Sequence, residues 1–488
     1  MKLLGVAIIT SALAHGVPLL AQAEHAGEHA EPSMPARRSG PVTLGEIGRR
    51  IASASEGDTI EVPAGVYREH IRIDKPLTLI ARGRVVIDGE SSGDIVEITA
   101  PDVNFIGFTV RNTGIDLDLE NAAIRALAPR VRIEGNTLED VLFGIDLRDA
   151  ESSVIRGNTV GSKDLDIARR GDGLRLWRSD RTIIEDNVVR DGRDAIIWYS
   201  TGVTVRRNRC HDSRYGLHLM FSDDVTIEGN DFRGNSVGVY LMYSTGVEIR
   251  RNVFIRNRGP SGYGIGLKET DRFSVVDNVL AQNRVGVYID GSPFTAAKPG
   301  LFTRNTIAYN DAGFTILPSA RGNEIVGNNL IDNIEQVRVA GRGTLDANRF
   351  WSGDRGNFWS DYTGYDENGD GVGEFVHEPH SIFDNLMEKE PSLRLFLFSP
   401  AQQAIEFVGR ALPAMRPQPA FVDEVPLMRP VATAFTPGAS AANRAAMGAL
   451  GAAMAALGCA AVSVARRTDS PRERSPKPRS GAQQGSVT

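Results

Sequence analysis

The chain has 488 residues, 41% of them hydrophobic, and a formal net charge of −6. Its last 23 residues carry six Lys/Arg and two Asp/Glu, a local +4, so the remainder stands at −10, which argues against nucleic acid as a partner. Cys210 and Cys459 are the only cysteines, far apart in unlike contexts, so no disulfide is expected.

Residues 1–23 read as a secretory signal: Lys2 supplies the charge, an apolar run from Leu3 to Leu20 is broken by His15, and Ala21-Gln22-Ala23 fits a cleavage site. Residues 24–41 lack apolar periodicity and read as a flexible tether, whose His25 and His29 are more simply solvated than metal-bound. Leu44, Ile47 and Ile51 recur at helical spacing, which predicts a short amphipathic helix capping the first coil of the repeat region.

From Thr59 the pattern changes to short strands punctuated by Gly, Pro and Asp. Asn marks a repeat at 112, 136, 158, 187, 208, 230, 252, 278, 305 and 328, with a second Asn at 235, 257, 283, 310 and 333. Four phrases share this repeat: Leu-Trp-Arg-Ser at 176–179, Ile-Trp-Tyr-Ser at 197–200, Leu-Met-Phe-Ser at 219–222 and Leu-Met-Tyr-Ser at 241–244. Steps of 21 and 22 residues indicate a solenoid whose coils stack in register. The predicted class is all-β: a right-handed parallel β-helix over residues 42–350, with an N-terminal helical cap and a C-terminal extension.

Alternation gives the direction of each side chain. The residue two after each marker Asn is apolar from coil 187 on (Val189, Cys210, Phe232, Phe254, Leu280, Ile307, Leu330), so that phase faces the core and Cys210 reads as a buried small hydrophobe. His211, one step on, points outward. In the phrases, pairs such as Leu217/Leu219 and Val239/Leu241 face inward. Trp177, Trp198, His218, Met220, Tyr240, Met242, Lys268 and Asp290 then face outward. An outward patch of Trp, Met, His and Tyr marks binding, and Trp177, Trp198 and Tyr240 are the expected partner contacts.

That patch admits two readings. Thioether and imidazole are soft ligands suited to Cu(I). His218 and Met220 lie on one face of a strand and Met242 one coil away, so the three could hold one Cu(I), with Trp198 offering a cation–π face. Alternatively, the same side chains are packing contacts covered by a partner. A different class of function, hydrolysis, elimination or epimerisation on a polysaccharide, would use Asp172, Asp194, Asp223 and Asp224 with Arg175 and Lys268.

Residues 351–430 form the predicted capping and docking region. Asp366, Asn368 and Asp370, with Gly371, have the opening spacing of a Ca²⁺ loop; His377 stands where its bidentate Glu belongs, leaving Glu374 or Glu378 as a substitute ligand or the stretch as an acidic turn. Apolar residues between Glu390 and Arg410 recur at helical spacing, and such a helix could cover the open end of the solenoid. A proline-rich extended segment comes next, suited to docking on a partner or on the body. Residues 431–488 comprise an Ala-rich stretch and a basic tail; 445–465 is uncharged and long enough for a membrane span, with Arg466 and Arg467 staying cytoplasmic, or forms a surface segment.

The exported β-helix, the phrases Leu217-His218-Leu219-Met220-Phe221-Ser222 and Val239-Tyr240-Leu241-Met242-Tyr243-Ser244, and the Asn357–Gly373 stretch resemble the NosD family over about residues 41–430. The resemblance implies a non-enzymatic periplasmic accessory protein in the copper maturation of nitrous oxide reductase. It implies as partners an ABC transporter permease and ATPase and a lipoprotein chaperone handing over Cu(I). The Ala-rich stretch is an addition to that pattern.

Overall fold

A computed structural model of the chain describes residues 44–433, apart from 296–297, 380–382, 384–385, 388–389, 398 and 412–417. The predicted leader, the tether and the Ala-rich 445–465 stretch lie outside the described residues. Among the described residues no helix is long and apolar enough to cross a membrane.

Short strands stack as coils, and every pairing between strands of successive coils is parallel. One face is a 12-stranded sheet running from Ile71–Ile73 to Glu335–Val339. Two further series, ending at Asn323–Ile325 and Phe358–Trp359, merge through the long strands Thr59–Tyr67 and Thr78–Asp88 into a 23-stranded sheet. The chain is thus an all-parallel β-solenoid, as the repeat predicts. Inward side chains of all faces form one apolar column, in which Phe232 stacks on Phe254 at 5.2 Å and Cys210 is buried among Val189, Phe232 and their neighbours.

The Asn markers form a buried ladder from Asn136 to Asn357. At each rung the backbone N–H and the Nδ2 of one Asn donate to the Oδ1 of the next, as from Asn230 to Asn252 at 2.8 and 3.0 Å; Asn230 Nδ2 also donates to Val205 O at 2.9 Å. Each buried amide is therefore satisfied by its neighbours, which is what allows polar groups inside the coil corner. Asn112 stands outside the ladder: it adopts φ +60° and donates to Asp88 Oδ1. The Ser that ends each phrase forms a second ladder, with Ser200 Oγ accepting from Ser179 N at 3.0 Å and Ser244 Oγ from Ser222 N at 3.2 Å.

Both ends are closed. The predicted helix Glu46–Ser53 buries Ile47 and Ile51, while Leu44 stays 47% exposed. Its first turn is capped from 22 residues away by Glu69, which accepts from Ile47 N and Gly48 N at 2.9 and 3.0 Å; Lys75 donates to three carbonyls at the other end, matching both poles of the helix.

The C-terminal closure differs from expectation. A helix does form at Pro400–Ala411, after a 3-10 turn at Pro391–Phe396, but Leu395, Phe396, Phe407 and Val408 are exposed. The last coil is instead filled by Phe350, Trp359 and Phe421, with ring centres 4.3 and 5.2 Å from Phe421. Asp423, fully buried, accepts from Asn357 N and Trp359 Nε1 at 2.8 Å each and from Val425 N at 3.1 Å, ending the Asn ladder. Part of the proline-rich segment docks on the body: Leu427 N donates to Asn357 O and Val431 N to Asn329 Oδ1.

Candidate metal centre

The 12-stranded sheet puts the phrases in strict register. Trp177, Trp198, Met220, Met242, Lys268 and Asp290 form one outward column. Arg175, Ile196, His218, Tyr240, Gly266 and Tyr288 form the next. His218 is therefore paired with Tyr240, yet its side chain slants across the sheet to Met242. Nε2 lies 3.3 Å from Met242 Sδ. A nitrogen and a thioether sulfur this close could both reach one soft metal ion. Met220 holds the position before Met242 in the same column, and both are half-buried.

Outward does not mean open. His218 is only 8% exposed. Side chains on adjacent coils are one strand spacing apart, about 4.8 Å, so large ones cover their neighbours. Tyr215 packs edge-on at 5.1 Å, Trp198 edge-on at 6.5 Å, and Tyr240 lies nearly parallel at 6.2 Å. Tyr240 leans over Gly266, where a Cβ would stand 2.3 Å from its ring. Beyond it Tyr263 and Tyr288 stack at 4.4 Å. On the other flank, Trp177, Tyr199, Phe221 and Tyr243 form a run of rings 5.0 to 5.2 Å apart. The sulfurs and the imidazole thus lie between two aromatic walls.

Burial also decides the protonation of this site. It pushes His218 down to about 4; Asp194 opposes the shift and Arg214 adds to it. The imidazole is then neutral at any ordinary pH, with nitrogen available to a soft cation. His218 Nδ1 and Trp198 Nε1 are buried without a hydrogen-bond partner. The Tyr240 hydroxyl is pushed well up by burial and by its tyrosine neighbours, so it stays a neutral phenol. Among the described residues no group of three or more His, Cys, Asp or Glu could hold a metal ion. A metal site built here rests on thioethers, which select against hard cations.

The remaining sequence candidates are engaged elsewhere. Asp172 and Asp194 are buried and paired with Arg193 and Arg214, with contacts of 3.0 and 2.9 Å. Burial, with Asp194 nearby, raises the Asp172 carboxyl although Arg193 opposes it. Asp223 accepts from Thr245 N at 2.8 Å, and Asp224 lies 3.6 Å from Arg272. Arg175 faces outward but is locked by Asp146 and Glu120, in contacts of 2.7 to 3.0 Å. Burial disfavours the Asp146 carboxylate, but Arg175, Arg148 and Arg125 outweigh it and hold the group well below the usual range. Glu120's part in this network was not visible in the sequence, since it lies 55 residues from Arg175. The buried Cys210 thiol is pushed up to about 12, first by burial and then by Asp231, which suits a packing residue.

In the 366–374 stretch the loop's own backbone uses the candidate oxygens. Asp366 accepts from Gly369 N and Gly371 N at 2.6 and 2.9 Å, Asn368 from Asp370 N and Asp370 from Val372 N, each at 2.8 Å. Glu374 is exposed.

A protein of Pseudomonas aeruginosa named "Probable ABC transporter binding protein NosD" is 31% identical over 430 residues, covering 82% of this chain and 98% of the relative. The chain belongs to the NosD family. A relative from Stutzerimonas stutzeri with the same name is 29% identical over 419 residues, covering 75% of this chain and 86% of the relative. The NosD family model, described as "Periplasmic copper-binding protein (NosD)", matches residues 159–364, a span that contains His218, Met220 and Met242. Among solved structures, the A-module of mannuronan C-5 epimerase AlgE4 from Azotobacter vinelandii matches at 16% identity and a TM-score of 0.48, covering 62% of this chain and 92% of that one. At that level the likeness carries nothing about chemistry. Both NosD relatives are named as binding proteins.

Proposed function

We propose that this NosD-family chain is a non-enzymatic periplasmic carrier that takes Cu(I) as cargo at His218, Met220 and Met242. It works with an ABC transporter, permease and ATPase, to pass copper from a lipoprotein chaperone toward nitrous oxide reductase. The observation that carries this reading is the 3.3 Å approach of a neutral, buried imidazole nitrogen to the Met242 sulfur. Met220 supplies the third soft donor from the adjoining rung. Aromatic walls limit water and oxidant access, and the Trp198 ring edge adjoins the imidazole. The family description supports copper and the periplasm, and the relatives' names support the transporter. The leader at residues 1–23 fits the same compartment.

Trp177, Trp198 and Tyr240 are the proposed partner contacts, since they border the site and keep part of their surface free. Partial burial of thioethers suits a carrier, which has to release what it binds. The test is an anaerobic competition titration against a chromogenic Cu(I) chelator. His218→Ala and the Met220→Ala/Met242→Ala pair should each lose at least tenfold in affinity. Wild-type affinity in the double variant would place the cargo elsewhere.

A further inference from the structure

The methionine column does not stop at its sulfurs. One coil on from Met242, at the same register position, stands Lys268, and Asp290 is the next rung. Strand spacing is about 4.8 Å, so the lysine stem can bring its ammonium beside the Met242 thioether. The side chain is half-buried, and its Nζ lies 5.6 Å from the centre of the Tyr243 ring, immediately next to Met242 in sequence. Among the described residues no carboxylate stands within close ion-pair distance of Lys268; its charge acts on Asp290, the next rung, whose carboxyl burial raises and the ammonium holds down. That sets it apart from the other cations of this face. Arg175 is held by Asp146 and Glu120, and Arg214 by Asp194.

Charge near the candidate metal position is therefore lopsided. On the His218 side Arg214 and Asp194 oppose one another as an ion pair. On the Met242 side the ammonium is the nearest formal charge in the column, and Asp290 lies a further coil away. A fixed positive charge beside a cation-binding sulfur opposes the cation that the sulfur attracts. A carrier profits from that opposition, because it has to release the cation as well as hold it.

We propose that Lys268 sets the affinity and the release rate of the metal cargo at the Met242 end of the site. This rests on the Cu(I) reading above. The ammonium weakens binding through space without contacting the ion. A unit charge at roughly 8 Å, in a half-exposed setting with an effective dielectric of about 30, corresponds to about a tenfold change in affinity. The Tyr243 ring holds the ammonium in place, so the effect depends on charge and not on the lysine's packing.

The experiment is an anaerobic Cu(I) competition titration, paired with stopped-flow transfer to the chelator, on the full chain. The proteins are wild type, K268R, K268M, K268E and Met242→Ala, each checked for an unchanged melting temperature. K268M keeps the stem but loses the charge; it should bind about tenfold tighter and release about tenfold more slowly. K268E should move further in the same direction, and K268R should keep the wild-type values. In 1 M salt, where the screening length is about 3 Å, these gaps should narrow. K268M and K268E matching wild type, while Met242→Ala loses Cu(I), would overturn this inference alone. A wild type that binds no Cu(I) would overturn the site reading and this inference with it.

Discussion

Most histidine ligands lose metal as the pH falls, because protons compete for the nitrogen; His218, the ligand proposed above, should not. An imidazole with the usual value of about 6.5 is protonated in all but about one part in 30 at pH 5.0, so its metal affinity falls by about 30-fold from the neutral limit. With His218 pushed down to about 4 by burial, the same change costs only about 1.1-fold. The covering rings cause the difference, so removing them should restore it. Tyr215→Ala opens the edge-on contact at 5.1 Å and should move His218 back toward the usual value. The sign for stability comes from the same shift. A histidine whose folded value is depressed favours the neutral form in the fold, so stability is intact above about pH 6.5 and is lost as pH falls from there to about 4. The full loss is about 3 kcal/mol. The assay is a Cu(I) competition titration at pH 7.0 and 5.0, corrected for protonation of the chelator, with an NMR titration of the His218 ring in the metal-free chain. A 30-fold loss of Cu(I) affinity in wild type at pH 5.0, or a ring that titrates near 6.5, would refute the role given to burial.

Three further predictions concern the scaffold around the site. Asp423→Ala removes the acceptor for Asn357 N, Trp359 Nε1 and Val425 N and should cost about 3–5 kcal/mol in chemical denaturation; a loss under 1 kcal/mol would mean the ladder needs no terminal acceptor. Gly266→Ala places a methyl 2.3 Å from the Tyr240 ring, so it should destabilise the fold by about 1–3 kcal/mol and change near-ultraviolet dichroism as Tyr240 shifts. Cys210→Ala should leave Cu(I) affinity unchanged while costing about 1–2 kcal/mol from the core; weaker copper binding at full occupancy would return Cys210 to the ligand set.

The coil register was legible because it is local. Steps of 21 and 22 residues, the Asn markers and the parity of Leu217/Leu219 are enough to stack Trp198, Met220 and Met242 in one column and to put Cys210 inside. Parity also sends His218 outward, but parity says nothing about cover. That Tyr215, Tyr240 and Trp198 close over the imidazole depends on rings from three successive coils, and on Gly266 making room for one of them. Long-range electrostatics were out of reach for a similar reason. Arg175 and the Asp172/Asp194 pair looked available for chemistry, whereas Arg175 is tied to Glu120 and the two carboxylates to Arg193 and Arg214. At the C-terminal end, the apolar spacing at 390–410 does produce a helix, yet Asp423 and Phe421 close the solenoid from a segment with little periodicity of its own. The closing Ser of each phrase is a rung of a hydrogen-bonded ladder, a role that only the stacked coils reveal.

Copper K-edge X-ray absorption of the chain loaded with one equivalent of Cu(I) under anaerobic conditions addresses the ligand set itself. The expected first shell is low-coordinate, with one nitrogen and two sulfurs. It should lose the sulfur contribution in Met220→Ala/Met242→Ala and the imidazole scattering in His218→Ala. A first shell of nitrogen and oxygen alone, or a spectrum that both variants leave unchanged, would contradict Cu(I) binding by His218, Met220 and Met242.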